Sequence, residues 1–468
     1  MTRPVLSLCL IVKNEAAYLD RCLASYRGVA DEIIVVDTGS SDNSPDIARQ
    51  YHAKVIQTGW EGDFSKARNL SLEQATGTWL LWTDADDVID SVNGAKIKQL
   101  ISGAAPDRCF GFMIKNTQDG VLGSVFNQIR LFPNHPTARF RYRVHEQVLP
   151  SLQESGFQTI FTDIMVMHTG YSSPDVVKQK QIRNLAILEK EVVERPDNPV
   201  IAYSYAGNLL DLDRFQEAVP WYEKALRFSL AQHAEEHIAQ AVPVALASLY
   251  GRLKDFNQSR LWAKKALLQN PDNVQLWSIL GELAEVEEKT DEAIRCFEKV
   301  LTYQEKPVLI PVDVHMLQIN ACSHLGGLYM KKGDKQKVVD ILDKAIEIKS
   351  GRKVLPSERG DRYLSMGDTI KAGQEYLTAV NDSASKDWAA FHGLAKVFIL
   401  NNSAQDAADT LKLGLDRFPD QPDLMLLLAD LYDDLKRFEL SLPLYRRVLP
   451  LLTDPEQLER VRQRLGRV

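Results

Sequence analysis

Apolar and polar positions divide the chain into two regimes. In the first third, short apolar runs alternate with helical patterns. Val5 to Val12 has strand composition, and Leu19, Cys22 and Leu23 then recur at helical spacing. Glu32 to Val36 predicts a second buried strand, closed by the turn residues Asp37 to Asp42. Pro45 marks the first turn of the next helix, which Ile47 and Ala48 continue. Lys54 to Gln57 reads as a third strand, Phe64 to Gln74 as a helix and Thr78 to Thr83 as a fourth strand. Such alternation, with strands apolar on both faces, predicts a parallel, doubly wound sheet whose ligands bind beyond the carboxyl ends of the strands. Cys109 to Lys115 and Gly123 to Phe132 read as further strands with Gly120 turning between them. Phe140 to Leu149 alternates, which predicts a strand with Arg141, Arg143 and His145 on one face and Tyr142, Val144 and Glu146 on the other.

From Asp175 onward the period becomes helical. Small residues recur at Ala206, Ala247, Gly281, Gly326, Gly360, Ala395 and Ala429, at intervals of 41, 34, 45, 34, 35 and 34 residues. A period of about 34 is the tetratricopeptide spacing. Trp277, Leu280, Gly281, Ala293 and Phe297 fit one repeat; Leu246, Ala247, Tyr250, Ala266 and Pro271 fit another. The longer intervals imply extended helices or loops near residues 230 to 240 and 303 to 315. Units of this kind cannot bury their apolar faces alone and stack into a superhelix whose concave side commonly takes a peptide. Trp221 and Trp388 are read as packing residues.

The chemistry concentrates at the end of the fourth strand, in Asp84, Asp86 and Asp87. Acids crowded there repel unless a cation or a donor network lies among them, and Asp-x-Asp suits a divalent ion carrying phosphate. A single acid could instead cap a helix N-terminus; three in four residues fit that less well. Asp37 and the Lys13-Asn14-Glu15 turn follow strands as well, so three polar clusters converge on one sheet edge. The dinucleotide and P-loop glycine signatures are absent, Gly28 being the only glycine of the first thirty residues. What remains is a nucleotide held by side chains and a metal-bridged diphosphate. Arg68 suits a phosphate clamp, because a guanidinium meets phosphate bidentately. Asp63 reads as the cap of the helix at Phe64.

A net charge of −7 argues against a general nucleic-acid surface. Five scattered cysteines form no zinc or redox spacing and suit reduced thiols. No signal peptide or membrane-spanning run is evident, so the expected compartment is the cytoplasm.

Leu8 to Glu15, Ala30 to Asp42, Asp63 to Asn69 and Trp82 to Asp87 together resemble the inverting GT-A glycosyltransferases, nearest to bacterial lipopolysaccharide-core and peptide or protein transferases. The resemblance covers about residues 5 to 172 and implies a Rossmann-like α/β nucleotide-sugar domain at 1–172. A linker helix at 173–195 and an all-α tetratricopeptide solenoid of about seven repeats at 196–468 would follow. It implies a nucleotide-sugar set of Val12, Asn14, Glu15, Asp37, Arg68, Asp84, Ala85 and Arg130, with Asp37 on the nucleoside and Asp84 facing ribose or metal-bound water. Asp86 would hold Mn²⁺ or Mg²⁺, and His168 would complete the shell. Thr38 stands where the family often has a second acid, and no acidic pair falls between residues 120 and 170. Glu146, within the family-like Arg143-Val-His-Glu stretch, is therefore the candidate base, with Glu154 and Asp163 behind it. The expected reaction moves a sugar from a UDP-sugar to Ser/Thr or Cys of a protein, flagellin-like acceptors being favoured, with the repeats presenting the acceptor. Homo-oligomerisation is an open expectation. The rivals are a lipopolysaccharide-core transferase and a repeat scaffold with an inactive GT-A domain.

Overall fold

The computed structural model describes residues 5–118, 121–170, 174–232, 235–304 and 312–466. It resolves into two compact units, Met1–Ala321 and Cys322–Val468. Gly120 and Tyr171, and parts of the two long repeat intervals, lie outside the described residues.

In the first unit the strands are β1 (Leu6–Val12), β2 (Glu32–Asp37), β3 (Lys54–Gln57), β4 (Trp79–Trp82), β5 (Asp87–Val88), β6 (Arg108–Gln118), β7 (Val121–Pro133) and β8 (Gln158–His168). They form one sheet in the order β3-β2-β1-β4-β7-β6-β8-β5. The first four are parallel, pairing Val12 with Asp37, Asp37 with Gln57 and Cys9 with Trp82, so their carboxyl ends reach one edge together. The other half is mixed, which corrects the wholly parallel expectation. β7 runs antiparallel to both β4 and β6, while β8 runs parallel to β6. Physically, β6 and β7 are joined directly, and strands so joined can only run antiparallel.

Helices α1 (Ala16–Ser25), α2 (Ser44–Gln50), α3 (Phe64–Gln74), α4 (Ser91–Gly103) and α5 (Leu149–Glu154) cover the sheet. Alternate strand residues split between two cores: Leu8, Leu10, Trp79 and Leu81 pack with Leu19 and Leu23 on one face. Cys9, Ile34, Leu80 and Trp82 pack with Leu72 and Leu152 on the other. Pro45 opens α2, and Asp63 caps α3 by accepting from the Lys66 N–H.

Residues 140–149 depart from the predicted strand. Tyr142 and His145 have φ of 73° and 57°, and left-handed residues break the two-residue alternation of a pleat. The segment is instead a loop closed by reciprocal Arg141–Gln147 backbone hydrogen bonds of 3.0 Å. It is pinned by α6 (Pro174–Glu194) and α7 (Pro199–Asp211). Tyr142 and Val144 enter the core formed by Leu188, Ala202 and Ala206. The buried Glu191 carboxylate accepts from the Arg143 N–H and from Arg195.

Helical pairs continue to the end of the described chain. Ala206, Ala247, Ala395 and Ala429 are fully buried, as the repeat spacing requires. Gly281 and Gly360 are small for a visible reason: a Cβ there would come within 2.8 Å of Phe297 and 2.4 Å of Tyr376. Gly326 differs, since a Cβ there would meet nothing within 4 Å. The five cysteines are free and buried. Among the described residues no helix is long and apolar enough to cross a membrane.

Candidate active site

The β1, β2 and β4 ends carry most of the expected site. Val12 ends β1 and is buried. Asn14 adopts φ 57°, and its Oδ1 accepts from the Ser41 N–H at 2.7 Å, tying the β1 turn to the β2 turn. Asp37 is buried and accepts from the Ser40 N–H at 3.0 Å. Next to it a cleft of about 530 Å³ opens between Thr38, Thr58, Gly59, Trp60, Lys66 and Leu70. Ala85 is buried within the acidic run.

Beyond β4 the acids meet built-in cations. Arg68, on α3, donates from Nη2 to Asp84 and from Nε to Glu146, both at 2.6 Å. Arg130, on β7, reaches Asp84 at 3.4 Å and Asp87 at 2.9 Å. Both guanidiniums lie against the Trp82 ring, at 4.2 and 3.8 Å from its centre. Burial alone would raise the Asp84 carboxyl, but Arg68 and Arg130 hold it well below the usual range. Asp87, fully buried, also accepts from Thr83 Oγ1 and the Asp84 N–H and binds His168 Nδ1 at 2.9 Å.

Asp86 is treated differently. Its only described ion-pair contact is His168, at 3.4 Å. Burial and then repulsion from Asp84 and Asp87 push its carboxyl up to about 6, despite His168. Across the edge, burial and repulsion from Asp86 push Glu15 up to about 7, with Lys180 of α6 partly offsetting this. Burial works against His168, but its hydrogen bond to Asp87 and the charge of Asp86 raise it to about 9.

All eleven expected site residues have a place in this geometry. Asp84, Asp86, His168, Arg68, Arg130 and Glu146, joined through Asp87, form one connected cluster, and Glu15 lies within its electrostatic reach. Asp37 and Asn14 sit at the neighbouring strand ends. Glu154 and Asp163 pair on the surface with Arg141 and Lys96, away from the cluster. Two residues outside the expected site set emerge, one of them the third acid of the run. Asp87 anchors both Arg130 and His168, and Trp82 is the platform for both arginines. The third acid of the run was the available sign of the first; an indole at a strand end gave little sign of the second.

Asp84, Asp87 and His168 each offer a ligand atom within 4.8 Å of one another. The donor chemistry distinguishes them. A cation at Asp84 or Asp87 would have to displace an arginine, whereas Asp86 and Glu15 carry carboxyls short of compensating charge. Asp86 beside an imidazole is a donor set that suits Mn²⁺ and related ions.

Residues 7–101 match the family Glycosyl transferase family 2, and residues 319–351 and 401–454 match tetratricopeptide repeat families. A TPR repeat-containing protein of Synechococcus elongatus is 33% identical over 231 residues, 47% of this chain and 56% of that protein. The SPbeta prophage-derived glycosyltransferase SunS of Bacillus subtilis is 26% identical over 253 residues, 53% of this chain and 60% of that protein. Among solved structures, S. aureus TarS aligns with 55% of this chain and 54% of its own, at 18% identity and a TM-score of 0.34. The chain therefore spans between half and two thirds of the length of these curated relatives. The sheet edge just described lies largely inside the matched segment, and the chain carries a glycosyltransferase family 2 domain joined to tetratricopeptide repeats.

Proposed function

We propose that the chain transfers a sugar from a nucleoside-diphosphate sugar, UDP-sugar being the favoured donor, to a protein acceptor carried by the repeats. The observation that carries this reading is the uneven charge at the β4 tip. Asp84 and Asp87 are met by arginines, while Asp86 is left beside His168 and faces Glu15. A site built for a small anion would not leave acids in surplus; a site for a cation with a diphosphate does.

In this reading Asp86 and His168 hold Mn²⁺ or Mg²⁺, which requires His168 to give up its proton. Bound there, the ion stabilises charge on the departing diphosphate without proton transfer. Asp37 and the adjacent cleft receive the nucleoside, and Val12, Asn14, Glu15, Asp84 and Ala85 line its ribose and phosphates. Arg130 fixes Asp84 and Asp87. Glu146 takes the acceptor proton as the acceptor oxygen or sulfur attacks the anomeric carbon. The bond from that carbon to the diphosphate breaks with its electron pair, and inversion follows from the single displacement. Residues 1–172 are assigned to this chemistry and 196–468 to acceptor binding, in keeping with a relative named as a glycosyltransferase and repeats that commonly take peptides.

Calorimetric titration with UDP, with and without Mn²⁺, tests the reading. Metal-dependent binding that disappears in Asp86→Ala supports it; tight binding unaffected by chelator and by that substitution refutes the metal assignment. Glu146→Gln should bind donor no more weakly than the parent chain and lose turnover by about 10²–10⁴, the usual size of general-base catalysis. Unchanged turnover would move the base elsewhere.

A further inference from the structure

Arg68 touches two acids that belong to different halves of the proposed reaction. Its Nη2 meets Asp84 Oδ1 on the donor side, and its Nε meets Glu146 Oε1 on the acceptor side, both at 2.6 Å. The acids are not equally dependent on it. Asp84 keeps Arg130 as a second cation at 3.4 Å. Glu146, among the described residues, has no other ion pair, and the loop that carries it is fixed through Tyr142, Val144 and the Arg143 N–H. The guanidinium itself rests on aromatic faces, Trp82 at 4.2 Å and Phe140 at 5.6 Å. Such faces hold it in plane yet form no hydrogen bond that sliding would break. If Arg68 turns toward a phosphate, Asp84 keeps a contacting cation, whereas Glu146 keeps only the more distant charge of Arg183.

We infer that Arg68 couples the two substrate sites, pairing with Glu146 while the donor site is empty and releasing it when a nucleoside diphosphate draws the guanidinium away. Arg68 is in this role a positioning residue. It keeps the base occupied until there is a leaving group to displace. The inference rests on the transferase reading and adds to it an order: donor first, then a competent base. By linkage the competition is reciprocal, so anything that removes the Glu146 charge must strengthen the hold of Arg68 on the nucleotide.

That reciprocity is measurable without knowing the acceptor. UDP with Mn²⁺ is titrated into the full chain, Glu146→Gln, Arg68→Lys and the double variant. Glu146→Gln should bind UDP about fivefold or more tighter, the low end of ordinary coupling. The gain should vanish in the Arg68→Lys background, because one ammonium cannot bridge both acids. The same gain in both backgrounds, or none in the single variant, overturns the coupling. If Arg68→Lys does not fold, Glu154→Gln serves as the comparison, since Glu154 pairs on the surface with Arg141. Tightening by Glu146→Gln alone supports the inference, and equal responses of the two variants overturn it. A chain that binds none of UDP, GDP, dTDP or CDP with Mn²⁺ loses the transferase reading and the coupling together. Binding with a flat cycle loses only the coupling.

Discussion

Among the described residues, two carboxylates each contact a pair of arginines, and they are put to different ends. Asp84 lies between Arg68 and Arg130 at the β4 tip. Asp343, in the second unit, lies between Arg359 and Arg362, with Arg359 also reaching Asp340 at 3.2 Å and Glu375 at 3.1 Å. Around Asp343 the acids answer arginines across three consecutive helices, Lys335–Ser350, Pro356–Ser365 and Thr369–Asn381, and the network closes on itself. Burial nevertheless outweighs the arginines there, and the Asp343 carboxyl is raised; at Asp84 the arginines prevail. The Asp343 arrangement ties helices together. The Asp84 pair has further acids near it, Asp86 and Glu15, which contact no arginine among the described residues. A buried ion pair by itself says little about function; surplus charge beside it says more.

The largest effects should separate these two sites. Asp86→Asn is expected to lower transfer by about 10²–10³, the scale of one lost electrostatic stabiliser, with thermal stability kept or improved, because an under-compensated acid is removed. Asp343→Asn should do the reverse. Activity per folded molecule stays unchanged, while stability falls by about 1–3 kcal/mol, because Arg362 loses the acid it contacts and Arg359 keeps only Asp340 and Glu375. Denaturant unfolding and turnover, measured on both variants, check this. Loss of activity at constant fold in Asp343→Asn would mean that the repeat network belongs to the reaction.

The comparison sharpens with pH. Asp86 is raised from 3.8 to about 6, and Glu15 from 4.5 to about 7. The folded chain therefore holds protons that the unfolded chain has already lost, and stability falls as pH rises through those windows. His168 is raised from 6.5 to about 9, so its contribution is complete below 6.5 and is lost as pH rises through 9. All three act in the same direction, and the metal-free protein should melt at lower temperature toward the alkaline side. On the proposed reading Mn²⁺ would compensate the acids, so the rise in melting temperature on adding it should be larger at about pH 8 than at about pH 5.5. An equal rise at both would argue that the ion binds elsewhere.

Much of this was readable along the chain. The parallel half follows from apolar runs that stop at Asp37 and at Thr83-Asp84, since a polar residue after a doubly buried strand fixes the edge where ligands bind. The acids of the β4 tip are neighbours in sequence, so they were visible together. The cations that answer them were not. Arg68 meets Glu146 across 78 residues, and no local pattern reports such a pair. The loop at 140–149 departs from the expected strand because its left-handed residues are Tyr142, a bulky residue that rarely adopts that conformation, and His145, which signals it only weakly. Its apolar alternation is real, but Tyr142 and Val144 serve α6 and α7.

The smallest predicted effects concern residues that the repeat spacing treats as equivalent. Gly281 and Gly326 occupy the same place in the period, yet only Gly281 is needed there. A methyl group at 281 would press on the Phe297 ring at 2.8 Å, within a fully buried side chain that has little room to retreat. Gly281→Ala should therefore cost about 1–3 kcal/mol, as overpacking does. At Gly326, inside the helix Val314–Lys331, the added Cβ meets nothing within 4 Å. Alanine there gains helix propensity without a clash, so Gly326→Ala should stabilise by up to about 1 kcal/mol. Opposite signs in chemical denaturation would show that the period marks a packing position only where a neighbouring ring fills it. Equal destabilisation at both would place an unseen neighbour against Gly326.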